Sequence, residues 1–183
     1  MEQLHEHTNV TESTEKPDRI EESGGKIWYV IIVVIVLLLD QVSKYYIVSG
    51  MELYETIPVI QDFFHITYIF NTGASFGLLQ DQTLFFTILS GCVILAICWA
   101  VFFWKATDRY SRVLLGFVTG GALGNLADRL QHGAVVDFFD FRGIWPYIFN
   151  IADMAVVCGG LALAVVILVD EFKNSAKARK PRH

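Results

Sequence analysis

TLFFTILSGCVILAICWAVFFW, residues Thr83 to Trp104, runs for 22 residues without a charged side chain. An apolar stretch of about 18 residues or more with few charges is a candidate transmembrane helix. The composition agrees, since 54% of the chain is hydrophobic and 18% charged, against about 45–50% and about 25% in soluble domains. The sequence therefore predicts a membrane protein without a separate globular domain.

Three further apolar runs end at a charge. Residues 27–39 stop at Asp40, residues 113–127 stop at Asp128, and residues 154–169 follow Asp153. Each run reaches spanning length if its charged residue lies in the membrane or at its boundary. We therefore predict an all-α integral membrane protein with four transmembrane helices, spanning residues 27–48, 83–104, 113–130 and 150–169.

The positive residues predict the orientation, because cytoplasmic loops carry the excess of Lys and Arg. Basic residues follow the second span and the fourth, whereas residues 49–82 contain no Lys or Arg and residues 131–149 contain only Arg142. Both termini are expected in the cytoplasm. Residues 1–26 would form a polar disordered cytoplasmic extension, and residues 170–183 a basic cytoplasmic tail.

The first outer connection has a strand-like pattern. Residues 63–70, FFHITYIF, are aromatic and β-branched, and NTGAS, residues 71–75, is typical of a turn. Residues 135–141, VVDFFDF, form a loop or strand whose aromatic side chains would anchor at headgroup depth. We expect a small periplasmic β-hairpin or sheet, with its β region at residues 57–79, on the outer membrane surface.

Three predicted helices carry an acid at one depth. Counted from the cytoplasmic end at about 1.5 Å per residue, Asp40, Asp128 and Asp153 lie roughly 20–24 Å into a core about 30 Å thick. Intramembrane acids are costly and normally face the bundle interior or a water-filled cavity. The sequence therefore predicts a shared polar pocket that opens outward.

Several polar residues near this depth have a structural and a functional interpretation. Asp40 and Lys44 are four apart, as in a helical ion pair. Asp153 could cap its helix. Asn71 could form a turn or contact a substrate. Arg129 could pair with Asp128, bind a substrate carbonyl or meet a lipid phosphate.

Two further patterns accompany these residues. Asn125, Asp128 and Arg129 share one helix face, as do Asn150 and Asp153. The small residues Gly120, Gly121 and Gly124 favour close helix packing.

Two acids in one apolar site hold a single proton between them, so one can accept a proton from water while the other polarises a carbonyl. Asp137 and Asp153 are our candidates for this catalytic pair, since Asp40 has Lys44 and Asp128 has Arg129 as a charge partner. A Ser75/Lys44 dyad remains an alternative.

Other chemistry has little support. The formal net charge of −5 gives no basic footprint for nucleic acid. The histidines are scattered, and the three cysteines, Cys92, Cys98 and Cys158, lie in apolar runs where we expect them buried as small apolar side chains. We expect no metal and no cofactor.

DQVSK, NTGAS, GALGNLADR, VVDFFDF and FNIAD, in this order between residues 27 and 169, closely resemble the lipoprotein signal peptidases, the type II signal peptidases of bacteria. The resemblance implies an intramembrane aspartic peptidase of the bacterial inner membrane that cleaves a prolipoprotein before its diacylglyceryl-modified cysteine. It places the catalytic pair on Asp137 and Asp153, and the supporting residues on Asp40, Lys44, Asn71, Asn125, Asp128, Arg129 and Asn150.

The resemblance also implies sensitivity to globomycin-type cyclic peptides, and we expect a monomer that contacts membrane lipid, the acyl chains of the substrate staying in lipid. Two other classes remain open. A small proton or ion transporter would use intramembrane acids along a pathway, and a structural membrane adaptor would tolerate their neutralisation.

Overall fold

The structure is a computed structural model that describes residues 16–73, 82–104 and 108–178, with the side chains of residues 24–73, 82–104 and 108–176. Strands lie in the first and the last connection between the helices, where β-branched and aromatic residues separate the apolar spans. The elements are α1 Lys16–Gly50, β1 Thr56–Ile60, β2 Phe64–Asn71, α2 Thr83–Phe103, α3 Arg109–His132, β3 Val135–Phe141 and α4 Ile151–Ala178.

Helix α3 is the centre of the bundle, since it packs against α1, α2 and α4. Its glycines allow this approach. A Cβ on Gly120 would lie 2.8 Å from the side chain of Val36 in α1, and one on Gly121 would collide with the carbonyl oxygen of Ala152 in α4. The predicted small-residue packing of α3 is therefore confirmed, on two faces of the helix.

Three of the described helices are long and apolar enough to cross a membrane: residues Gly24–Gly50, Thr83–Phe103 and Ile151–Ala176. They contain the first, second and fourth predicted spans. Helix α3 has 24 residues, which is about 36 Å at 1.5 Å per residue. Its length is sufficient, but on average over its length it is less hydrophobic than the other three helices.

The three strands form one antiparallel sheet in the order β1-β2-β3. VVDFFDF is thus a strand, and it pairs with β2 rather than forming a loop. Aromatic rings hold the sheet to the start of α4, because Phe141 stacks on Phe64 at 4.6 Å and on Phe149 at 5.8 Å between ring centroids. This arrangement fixes β3 beside the first turn of α4.

Both ends of α3 are capped. The Asp108 carboxylate accepts hydrogen bonds from the backbone N–H groups of Tyr110 and Ser111, at 2.8 and 3.0 Å, which is a normal N-cap arrangement. Gly133 follows the helix with φ of 71°, a left-handed conformation that favours glycine. The Thr83 hydroxyl donates to the Gly133 carbonyl at 2.9 Å and so ties α2 to this end.

Some expectations need correction. Helix α1 begins at Lys16, so residues 16–26 of the predicted disordered extension are helical. Extending an existing helix is much easier than nucleating one. Cys92 and Cys158 are exposed rather than buried, because apolar residues of membrane helices also cover the outer surface. Residues 74–81, with Ser75, lie outside the described residues.

The close packing of Gly121 against α4 gives a stability prediction. Gly121→Ala should lower the free energy of unfolding by about 1–3 kcal/mol, because the new methyl group overpacks the contact with Ala152. Gly160→Ala is the matched control, since no atom lies within 4 Å of its Cβ position, and should stabilise the helix by about 0.5–1 kcal/mol. Thermal unfolding in detergent micelles measures both changes. A Gly121→Ala protein as stable as the wild type would contradict the packing.

Candidate active site

A buried lysine holds two helices together at the end of the bundle that carries the sheet. Lys44 Nζ in α1 lies 2.8 Å from a carboxylate oxygen of Asp40 and 2.8 Å from one of Asp128 in α3. It also donates to Asn125 Oδ1 at 3.0 Å. An ammonium group has three N–H donors, and each has an acceptor here. The predicted Asp40–Lys44 pair is confirmed, whereas the Ser75 of the alternative dyad lies outside the described residues.

The charge partner of Asp128 differs from the prediction. We expected Arg129, but neighbouring residues on a helix point in different directions, and the Asp128 carboxylate instead binds Lys44. Its Oδ2 also accepts from the backbone N–H of Val136, at 3.0 Å. Asp128 therefore connects the lysine to the beginning of β3, one residue before Asp137.

Gln41 is a site residue that the sequence analysis missed. Its Nε2 lies 3.1 Å from Asp40 Oδ2, 3.0 Å from Asp128 Oδ1 and 3.2 Å from the Gly124 carbonyl oxygen. It thus supports both carboxylates that bind Lys44. The available signal was its polarity, because a polar residue within a membrane helix is rare and normally has a partner there.

The first turn of α4 is held by one side chain from α1 and by one from the residue that precedes α4. Asp40 Oδ1 accepts from the backbone N–H of Ala152 at 3.0 Å, and Asn150 Oδ1 accepts from the backbone N–H of Asp153 at 2.9 Å. Asn150 is therefore the N-cap, a position where a side-chain oxygen satisfies a free backbone donor. Asp153 is the third residue of the helix, with its side chain available for other contacts.

Asp137 lies in β3 with its carboxylate in an amide cradle. Asn150 Nδ2 donates to Oδ1 at 2.6 Å, and Asn71 Nδ2 donates to Oδ2 at 2.9 Å. The side chain is 1% exposed. Burial raises the pKa of the Asp137 carboxyl to about 8, and the negative charge of Asp153 adds to the rise. Asp137 therefore holds a proton at neutral pH.

The second acid of the strand points elsewhere. Asp140 accepts from the Thr67 hydroxyl at 2.8 Å and from Arg142 Nε at 3.1 Å. Residues three apart on a strand lie on opposite faces, so Asp140 supports the sheet on the face away from Asp137. Of the two acids in VVDFFDF, Asp137 alone enters the site.

Asp153 is connected to Asp137 by two asparagines. Asn125 Nδ2 donates to Asp153 Oδ1 at 2.9 Å, and Asn125 Oδ1 accepts from Asn150 Nδ2 at 3.1 Å. Asn150 in turn donates to Asp137. The two acids, the two asparagines and Lys44 thus form one continuous hydrogen-bonded network, which fixes the orientation of both carboxyl groups.

Asn71 and Arg129 border this network. Asn71 Oδ1 accepts from the backbone N–H of Gly73 at 3.0 Å, so Asn71 forms a turn and also contacts Asp137. Arg129 donates to the Gly73 carbonyl at 3.3 Å, and its guanidinium lies 5.6 Å from the centre of the Phe86 ring. Arg129 therefore brings a positive charge to the turn that follows β2.

The site is reached from an apolar cavity of about 380 Å³ that has Asp153 in its wall. The two proposed catalytic acids and the seven proposed supporting residues all lie in the network or beside it. Within the described ranges, no set of three or more His, Cys, Asp and Glu residues is arranged to hold a metal ion. Two carboxyl groups held in one hydrogen-bonded network can act as an acid–base pair.

Comparisons with known proteins give one answer. The family model described as signal peptidase (SPase) II matches residues 32–169. A lipoprotein signal peptidase of Pelotomaculum thermopropionicum is 45% identical over 150 residues, which cover 82% of this chain and 97% of that protein. One of Clostridioides difficile is 40% identical over 148 residues, covering 80% of this chain and 98% of the relative.

A solved structure agrees with the sequence relatives. A bacterial membrane enzyme determined by the in meso method at 2.3 Å resolution superposes with a TM-score of 0.72. The two proteins are 32% identical, and the match covers 85% of this chain and 93% of that one. The similarity therefore extends over almost the whole described fold.

Removal of the buried lysine charge should be costly. Lys44→Met leaves Asp40 and Asp128 buried side by side without their cation, and breaking a buried ion pair in this way lowers the free energy of unfolding by about 3–5 kcal/mol. Lys173→Met, at an exposed position on α4, is the control and should leave stability unchanged. Thermal unfolding in detergent micelles compares the two proteins, and equal stability would show that the lysine is not structural.

Proposed function

The chain belongs to the signal peptidase II family, and from this premise we propose that it is an intramembrane aspartic endopeptidase with Asp137 and Asp153 as the catalytic pair. It removes the signal peptide from prolipoproteins, and we infer cleavage before the diacylglyceryl-modified cysteine. The observation that carries the proposal is the amide network that joins the two acids. The different surroundings of the two carboxyl groups support different roles for them.

In the proposed reaction Asp137 starts protonated and Asp153 ionised. Asp153 takes a proton from water as the water oxygen attacks the scissile carbonyl, and Asp137 gives its proton to the carbonyl oxygen. The tetrahedral intermediate then breaks at its C–N bond. Asp153 protonates the leaving amine, and a hydroxyl of the intermediate returns a proton to Asp137, which restores both groups.

The remaining polar residues would bind the substrate backbone. A peptide that enters from the bilayer brings N–H and C=O groups that need partners once they leave water. Arg129 and Asn71 stand at the edge of the site and suit this role. Asn125 and Asn150 would hold the two acids in place, and Asp40, Lys44 and Asp128 would hold the helices.

We further infer that α3 also spans the membrane, which brings the number of spans to four. Asp128 and Asn125 of α3 are buried against α1 and α4, so the polar face of this helix is covered by protein and not by lipid. With four spans and the observed distribution of Lys and Arg, both termini lie in the cytoplasm. The active site would then lie near the outer face of the bacterial inner membrane.

The inhibitor and the assembly state follow from the same proposal. A globomycin-type cyclic peptide would compete with the substrate for the polar edge formed by Asn71 and Arg129. One copy of the chain supplies both acids, so a monomer surrounded by membrane lipid would be active. The transporter alternative has no support, since the acids converge on one network instead of following a pathway across the membrane.

The catalytic pair can be tested by single substitutions. Asp137→Asn and Asp153→Asn should each reduce cleavage of a lipidated precursor by a factor of about 10³ or more, because general acid–base catalysis at both steps is lost. Asp170→Asn, at an exposed acid on α4, is the control and should retain full activity. Mass spectrometry of the released signal peptide measures cleavage. Full activity in either dyad variant would exclude the pair.

The raised pKa of Asp137 predicts the pH dependence of the reaction. The group is protonated at neutral pH and ionises as the pH rises through about 8, so the required acid is lost above that value. We expect kcat/KM, which reports on the free enzyme, to fall about tenfold per pH unit on the alkaline side. Initial rates in buffered micelles measure the profile. A profile that stays flat well above this pKa, in an enzyme that remains folded, would contradict the assigned protonation.

A further inference from the structure

The cavity beside Asp153 is a groove between the connection that follows β3 and the outer turns of α4. Its volume is about 380 Å³, within the range of ligand sites. We call it the α4 groove, and its walls include Trp145, Phe149, Asp153, Met154, Val157 and Cys158. In the part of the chain that the structure describes, Asp153 is the one charged residue that lines it.

In the proposed orientation, the groove would run from the membrane interface toward the membrane centre. Its upper rim carries Trp145 and Tyr147, aromatic residues that favour headgroup depth. Its lower wall follows α4 from Asp153 to Cys158, five residues or about 7.5 Å along the helix. Met154, Val157 and Cys158 are exposed on the bundle surface, so the groove is open to lipid.

A peptide does not suit this groove. A helix with its side chains is about 10–12 Å wide, too broad for a volume of this size that extends over little more than one turn of α4. An extended chain would fit, but its N–H and C=O groups would then lie against apolar side chains without partners, which costs several kcal/mol per group. The polar edge at Asn71 and Arg129 offers such partners, and the groove does not.

In place of the expectation that both acyl chains stay in lipid, we propose that the α4 groove binds one acyl chain of the diacylglyceryl group on the substrate cysteine. This inference rests on the proposed function. An acyl chain is apolar and narrow, and it has no hydrogen-bonding groups below its ester, so it matches the lining. The lipidated cysteine follows the scissile bond directly, and the groove begins at Asp153. The chain would therefore enter the groove beside the reacting carbonyl, with one side against protein and the other against lipid.

Binding in the groove would give lipid modification a role in positioning. The chain leaves one apolar environment for another, so little hydrophobic free energy is gained. The groove instead fixes the orientation of the substrate, since an acyl chain held along α4 positions the cysteine relative to Asp153. The enzyme would then recognise the lipidated residue by shape as well as by membrane anchoring.

The test fills the groove and varies the acyl chain. Val157→Trp places a large ring in the groove, and Leu161→Trp, one turn further along α4 and outside the lining, is the matched control at another exposed position. Each purified full-length protein is assayed with a dipalmitoyl precursor and with a dibutanoyl precursor of the same sequence. We expect Val157→Trp to lower kcat/KM about tenfold for the dipalmitoyl substrate and less than twofold for the dibutanoyl one. Leu161→Trp should change neither.

The possible outcomes distinguish a failure of the groove proposal from a failure of the proposed peptidase function. Equal loss on both substrates in Val157→Trp and in the milder Cys158→Leu, or no loss on either, would overturn the proposal. A loss that depends on the signal-peptide sequence and not on acyl length would also overturn it and assign the groove to the peptide. Failure of the wild-type protein to cleave the dipalmitoyl precursor would instead reject the proposed function. Activity on the dibutanoyl substrate shows that each variant is folded.

Discussion

A single buried ammonium group organises the end of the helix bundle that carries the sheet. Lys44 binds two carboxylates and an amide oxygen from α1 and α3, and all of these groups are removed from water. Two acids at this depth without the lysine would carry an uncompensated charge in a region of low dielectric. The geometry of the bundle therefore depends on Lys44 being present and fully bound.

The contacts of Lys44 also position the carboxyl groups of Asp153 and Asp137. Asp40, fixed by Lys44, accepts a backbone N–H of α4, and Asn125, also fixed by Lys44, donates to Asp153. The same network reaches Asp137 through Asn150. An apolar bundle thus presents two carboxyl groups at a defined orientation, which is the geometry that the proposed acid–base roles require.

Much of this arrangement could be predicted from the sequence. The length of residues 83–104 indicated a membrane helix, and counting along the helices brought Asp40, Asp128 and Asp153 to one level. The pairing of Lys44 with Asp128 could not be predicted, because it depends on how α1 and α3 rotate about their axes, which the glycine contacts of α3 determine. For the same reason Gln41 was missed. The strand at VVDFFDF remained ambiguous, since a short apolar run acquires its conformation from the strand beside it.

We propose that the carboxyl groups of Asp137 and Asp153 share one proton, held by Asp137. Isotope-edited infrared spectroscopy of the protein in micelles measures this directly, because a protonated carboxyl and a carboxylate absorb at different frequencies. With labelled aspartate, we expect a protonated-carboxyl band at neutral pH that is absent from the Asp137→Asn protein and disappears from the wild type as the pH rises through about 8. A spectrum with every aspartate ionised at neutral pH would contradict it.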